Sequence, residues 1–188
     1  MKTAICIASG PSLTLEDVEY CRGKGKIYAV KEVAMLAPWS DVLYAADTDW
    51  WVNNEDRWRD FKGEKWTCSD RAALLFTLNH IHGKSEKKWS LTQGEIATGG
   101  NSGFQVINLA ALQGAEQIIL LGYDYGHIPG LPKHWWDQDY PRDSRYSNYA
   151  SWNKRIMEAA PLIQIPVFNA SRESAIRCFP KINLRNII

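Results

Sequence analysis

Residues 99–121 read Gly-Gly-Asn-Ser-Gly-Phe-Gln-Val-Ile-Asn-Leu-Ala-Ala-Leu-Gln-Gly-Ala-Glu-Gln-Ile-Ile-Leu-Leu. The stretch opens with a glycine-flanked loop. Phe104, Ile107, Leu109, Ala110 and Leu112 then recur at helical spacing, and Gly114 supplies a helix stop. Gln117 to Leu121 is a short apolar run without polar alternation, the mark of a strand buried on both faces of a parallel sheet. The N-terminus repeats this pattern. Thr3 to Ala8 (TAICIA) predicts a second such strand, ended by Gly10-Pro11. Ser12 or Thr14 can cap a helix through Leu15, Val18 and Cys21, with Glu16 and Asp17 in its first turn. Further strands are expected at Ile27–Val30, Asp41–Ala46, Lys65–Cys68 and Ile165–Phe168, and a helix near Tyr149–Ala160. Leu74–His82 is ambiguous, its Phe76-Leu78 alternation favouring a strand toward the end. Strands alternating with helices predict an α/β fold with a doubly wound, mostly parallel sheet.

The 188 residues suit one domain, residues 1–188, and 45% hydrophobic with 23% charged residues excludes disorder. A net charge of +1 argues against charge-driven nucleic-acid binding. Nine Trp and eight Tyr suit a protein that stacks rings on a planar or sugar ligand. Cys6, Cys21, Cys68 and Cys178 have neither metal-knuckle nor disulfide-framework spacing, and reduced thiols of a cytoplasmic protein are expected. Met1-Lys2-Thr3 leads at once into a strand, so no signal peptide is expected. The longest apolar runs are too short to cross a bilayer, and no membrane insertion is expected.

The chemistry-bearing residues gather at strand-to-helix junctions, where open α/β sheets bind ligands and helix N-termini attract phosphate. Ser9, Gly10, Pro11 and Ser12 form one junction and Asn101, Ser102 and Gly103 another. A turn with a helix cap is the plainer reading of each. Neither a G-x-G-x-x-G nor a Walker lysine is present, so standard dinucleotide and P-loop sites are excluded. Asp47-Thr48-Asp49 spells a D-x-D that could hold Mg²⁺ or Mn²⁺. It could equally cap a helix or bind a ribose hydroxyl. Residues 122–149 are too long for a passive connection and predict a lid carrying His127, Lys133, His134, Trp135, Trp136, Asp137, Tyr140, Arg142 and Arg145. His134 is suited to proton transfer, and Lys133, Arg142, Arg145 and the tyrosines to neutralising a phosphate. A surface loop held down by its own aromatics is the alternative. Trp50, Trp51 and Trp58 are expected in the core rather than in a stacking wall.

Ala8-Ser9-Gly10-Pro11-Ser12-Leu13 resembles the G-N-G-P-S-L nucleotide loop of bacterial CMP-sialic-acid-dependent sialyltransferases. Motility-associated-factor glycosyltransferases and hydroxymethylpterin diphosphokinases carry a similar loop. Asn101-Ser102-Gly103, Asn108-Leu109-Ala110, Gly114 and Leu120-Leu121-Gly122-Tyr123-Asp124 resemble the second signature of that superfamily. Pro166 to Ser174, with Asn169, Ser171 and Ser174, resembles its closing segment. Asp47, Trp50-Trp51, His134-Trp135 and Phe179-Pro180 are similar to landmarks of small bacteriophage-encoded members. Asp47 and Ser9 stand where the sialyltransferases carry asparagines, and residues 141–154 lack the histidine that serves them as general base.

This resemblance implies a Rossmann-like domain whose Ser9, Gly10, Pro11, Ser12, Asp47, Asn101, Ser102 and Gly103 bind a nucleotide. The implied activity is glycosyl transfer from a nucleotide-sugar donor to a hydroxyl of a glycan, a protein or modified DNA. His134 would be the base, and Tyr123, Tyr125 or Arg142 would stabilise the departing phosphate. No obligatory cofactor is expected. The alternatives are a phosphotransferase with Asp47 and Asp49 on Mg²⁺, and a non-catalytic nucleotide-binding protein. The expected location is the cytoplasm, that of the host for a phage-encoded chain, and the aromatic content would suit a homo-oligomer.

Overall fold

The computed structural model describes residues 1–129, 134–135 and 148–188. Its elements, in chain order, are β1 (Thr3–Ile7), α1 (Leu15–Tyr20), β2 (Lys26–Val30), α2 (Val33–Leu36), β3 (Val42–Tyr44), α3 (Thr48–Asn53), α4 (Glu55–Trp58), β4 (Glu64–Thr67), α5 (Asp70–Phe76), β5 (Asn79–His80), β6 (His82–Lys84), β7 (Glu95–Ala97), α6 (Ser102–Leu112), β8 (Gln117–Leu121), α7 (Tyr149–Ala159) and β9 (Val167–Asn169). Seven strands form one sheet in the order β5-β4-β3-β2-β1-β8-β9, and β6 pairs with β7 in a second. Every pairing is parallel. The fold is α/β and Rossmann-like, as expected. Strands β2 to β5 follow one another on one side of β1, while β8 and β9 lie on the other. The strand order therefore reverses between β1 and β8, which opens a crevice at their carboxyl ends.

The continuous apolar runs are explained by burial on both faces. Ala4, Cys6 and Ala8 of the first run join the core around α6, whereas Ile5 and Ile7 join the opposite core with Val18, Cys21 and Trp51. The small side chains at 4, 6 and 8 leave room for α6, a helix buried at every position from Ser102 to Ala110. A helix wrapped on all sides needs little amphipathicity, which accounts for apolar residues spread around its whole circumference. Of its two buried side-chain amides, Gln105 accepts from Tyr44 Oη at 2.9 Å, and Asn108 is fully buried and used on both sides. Its Oδ1 accepts from Ala97 N at 2.9 Å, and its Nδ2 donates to Ser90 O at 2.5 Å, which anchors the second sheet to the helix.

The ambiguity over residues 74–82 resolves into the end of a helix followed by strands toward the end of the stretch. Ser69 caps a helix over Asp70–Phe76 by accepting from Ala72 N, Thr77 ends it in a left-handed conformation (φ 54°), and only then do β5 and β6 follow. Leu74 and Leu75 stand exposed on that helix, so their hydrophobicity did not signal a buried strand. Trp51 and Trp58 are buried in the core as expected, edge to face at 5.2 Å. No helix of the described residues is long and apolar enough to cross a membrane.

Candidate functional site

A cleft of about 640 Å³ opens at the crevice between β1 and β8. Its floor is the turn after β1. Ala8 N donates to Leu121 O at 2.9 Å and Gly10 N to Gly122 O at 2.8 Å, which carries the β1–β8 pairing past the ends of both strands. A Cβ on Gly10 would lie 2.5 Å from Gly122 O and from the Asp124 carboxylate. Gly122, at φ 70°, would place a Cβ 2.2 Å from Ala8 O. Both positions demand glycine because two strands close on each other there. At Gly10 the space without a side chain is taken up by Gly122 O and the Asp124 carboxylate.

Ser12 also proves structural. It is buried, its N–H and hydroxyl both donate to Asp124, and its oxygen accepts from Glu173 N at 3.2 Å. It does not line the cleft, whereas Ser9, Gly10, Pro11 and Asp124 do. Burial raises the Asp124 carboxyl above its ordinary value; the Ser12 hydrogen bonds oppose that rise and the Glu173 charge adds to it. Asn169, Ser171 and Ser174 are buried as well and brace the same corner. Ser171 Oγ accepts from Tyr123 N at 2.8 Å and Ser174 Oγ donates to Tyr123 O at 2.6 Å.

The second junction forms the opposite wall. Asn101 caps α6, its Oδ1 accepting from Phe104 N at 2.9 Å and from Tyr125 Oη at 2.7 Å. Its Nδ2 is buried and has no partner among the described residues. Ser102 Oγ accepts from Ala46 N, tying the start of α6 to the end of β3. Gly100, Asn101, Ser102 and Gly103 all line the cleft, which places the N-terminus of an eleven-residue helix against it. The first N–H groups of a helix lack intrahelical acceptors and carry its positive dipole end.

Tyr125 lines the cleft beside Asn101, in a left-handed conformation (φ 49°). Tyr123 does not line it. That side chain is fully buried, donates to Gly103 O at 2.9 Å, and has its pKa pushed up by burial. It is a strut between β8 and α6, which removes it from the groups that could meet a phosphate. Arg142 lies outside the described residues, as do Lys133, Trp136, Asp137, Tyr140 and Arg145.

Asp47 lines the cleft and pairs with Lys31 at 2.5 Å, while Asp49 of the same D-x-D does not line it. His134 lines it, with Nδ1 3.1 Å from Ser9 Oγ, and the neighbouring Trp135 N donates to Ser9 O at 3.4 Å. Sequence reasoning missed Lys31, Gln105 and Asp124, and the wall made by Tyr149 and Trp152, whose rings meet edge to face at 5.6 Å. The aromatic spacing i, i+3 at the start of a helix was the available signal for that wall. Among the described lining residues Lys31 is the only lysine or arginine.

No protein-family model matches the sequence, and no curated protein matches it. In fold the chain is similar to the MAf glycosyltransferase from Magnetospirillum magneticum AMB-1, with a TM-score of 0.71 at 13% identity. The similarity covers 100% of this chain and 34% of that one, so the chain spans about a third of the length of its neighbour.

Proposed function

We propose that the chain is a glycosyltransferase-like enzyme that moves a sugar from a nucleotide-sugar donor to an acceptor hydroxyl. The observation that carries this reading is the Asn101 amide. A buried donor without an acceptor is costly, and this one sits at a helix N-terminus in the cleft where the strand order reverses. A ligand phosphate or carbonyl oxygen satisfies it. Tyr125, Tyr149 and Trp152 offer ring faces to a base or sugar. The fold shared with a glycosyltransferase supports the same class.

In this reading the acceptor oxygen attacks the anomeric carbon as the bond from that carbon to the phosphate oxygen breaks. The electron pair leaves on the phosphate, facing the first N–H groups of α6. His134 takes the acceptor's proton. If Ser9 Oγ accepts from Nδ1–H, the imidazole lone pair lies on Nε2, which makes that nitrogen the basic atom and Ser9 a positioning residue. Asp47 is engaged by Lys31, so the reading uses no divalent ion. The acceptor is a hydroxyl of a glycan, a protein or modified DNA.

The test is calorimetric titration and thermal shift with CMP, UDP, GDP and ATP, each with and without Mg²⁺. Metal-independent binding of CMP or UDP is expected. ATP binding only with Mg²⁺ would favour a phosphotransferase, and no binding of any of the four a non-catalytic protein.

A further inference from the structure

Away from the cleft, three potential metal ligands from three elements converge at the far side of the sheet. Asp70 begins α5, His80 ends β5 and His82 begins β6. One ligand atom from each lies within 4.8 Å of the others. His80 and His82 flank Ile81, which is buried in the core, so period-two alternation sends both imidazoles to the same side of the chain. Their rings stand perpendicular, edge to face, with centroids 4.8 Å apart.

A simple His80–Asp70 hydrogen bond does not account for this cluster. His80 Nε2 is 3.1 Å from Asp70 Oδ1, yet it is buried and has no hydrogen bond of acceptable geometry. A buried nitrogen aimed beside a carboxylate, with a second imidazole at hand, fits a lone pair directed at a shared ion. Asp70 and His82 are both exposed, so rotations of their side chains can bring the three atoms to the roughly 3.3–3.5 Å separations that bonds of about 2.0–2.2 Å to a tetrahedral ion require.

We propose that Asp70, His80 and His82 form a binding site for one divalent transition-metal ion of the zinc class. Two imidazoles and one carboxylate are the donor set of zinc and its neighbours in the first transition row. Mg²⁺ and Ca²⁺ demand oxygen ligands instead. Three protein ligands leave a coordination position to water. The ion would pin the corner where the chain leaves the seven-stranded sheet and enters the second one, and would tie that corner to the start of α5.

The experiment is calorimetric titration of the EDTA-treated and desalted protein with ZnCl₂, alongside His82→Ala, His80→Ala, Cys68→Ser and His127→Ala. His82 is exposed, so its replacement leaves the fold intact. One zinc per chain is expected, with the affinity lowered in both cluster variants by at least the roughly 10- to 100-fold that even an outer-shell change costs. The Cys68 and His127 variants should bind as the parent does. The ¹⁵N resonances of the His80 and His82 imidazoles should shift on zinc addition. Absence of stoichiometric binding would overturn the proposal. So would binding that survives His82→Ala and His80→Ala, or binding lost on Cys68→Ser, since the ion would then sit elsewhere.

Discussion

The Asp124 carboxylate accepts both the backbone N–H and the hydroxyl of Ser12, each at 2.8 Å, across 112 residues of sequence. This one side chain holds the turn after β1 in register with the end of β8. The cleft floor is rigid because a buried acceptor has two donors and each donor has no alternative. Removing the carboxylate strands both Ser12 donors in a buried place. Asp124→Ala is expected to cost about 1–3 kcal/mol of stability, measured by urea unfolding. An unchanged unfolding midpoint would show that water serves Ser12 equally well.

Gly10 makes a related prediction. An added methyl would lie 2.5 Å from Gly122 O and the Asp124 carboxylate, and neither is a flexible tip that can swing aside. Gly10→Ala should lose about 1–3 kcal/mol of stability, the usual cost of overpacking. The unfolding curve is the measurement, and loss of nucleotide affinity in a fully stable variant would put a ligand, not the sheet, against Gly10.

Asn101→Asp separates capping from recognition. Aspartate caps helices as well as asparagine and can still accept from Tyr125, but it has no donor in place of Nδ2. The unfolding midpoint should stay near that of the parent while nucleotide affinity falls about tenfold or more, the equivalent of about 1.4 kcal/mol. Calorimetry with the nucleotide found in the binding panel decides it. Unaltered affinity would mean that the amide nitrogen does not face the ligand.

His134 and Ser9 are distinguished by turnover. His134→Ala should lower turnover roughly 10²- to 10⁴-fold with donor affinity nearly unchanged. Ser9→Ala should cost less and shift the limb of the pH profile that reports the imidazole, since it removes a hydrogen bond to Nδ1 and leaves the base in place. Full turnover in His134→Ala would move the base elsewhere, with His127 the next candidate.

The Arg172–Asp17 ion pair makes stability depend on acid pH. Arg172 holds Asp17 through Nε at 2.5 Å and Nη2 at 3.1 Å. Burial alone would raise the Asp17 carboxyl, but hydrogen bonds from Arg172 and Thr14 and the charges of Arg172 and Arg185 outweigh it and leave it below its ordinary value. An unfolded state with the higher pKa binds the proton more readily. The stabilisation is therefore complete above the unfolded value of about 3.9 and is lost as pH falls through the folded one. Arg172→Ala should lose about 1–3 kcal/mol at neutral pH and show a flatter acid limb below about pH 4, read from unfolding midpoints across pH.

Local signals made much of the fold legible. β1 and β8 carry nearly continuous apolar runs, α6 carries apolar residues at helical spacing, and Thr14 and Asn101 cap their helices by accepting from Asp17 N and Phe104 N. Residues 70–76 were harder because Leu74 and Leu75 are apolar yet exposed, and the decisive cue was the Ser69 cap. In the cleft, the two glycine-centred loops were readable as places. The division of labour within them was not. Ser12 and Tyr123 carry groups that suit chemistry but serve as struts, because the neighbours that claim their hydrogen bonds come from elements remote in sequence. Lys31 and Asp124 reach the cleft only because β2 and β8 flank β1, an arrangement that emerges from strand order rather than from any local pattern.

That strand order also dictates when the cleft can exist. β1 leaves the ribosome shortly before β2 and can pair early with it, but its other neighbour, β8, is synthesised more than a hundred residues later. Contacts of such separation carry a large loop-closure cost and form late in folding. Until β8 docks, the Gly10 N–H and the two Ser12 donors lack the acceptors Gly122 O and Asp124, and α6 has no strut from Tyr123. An N-terminal fragment ending before β8 would hold five of the seven strands of the main sheet and no complete binding floor. Nucleotide binding would thus report completion of folding, and a bound nucleotide would slow unfolding chiefly by resisting the departure of β8.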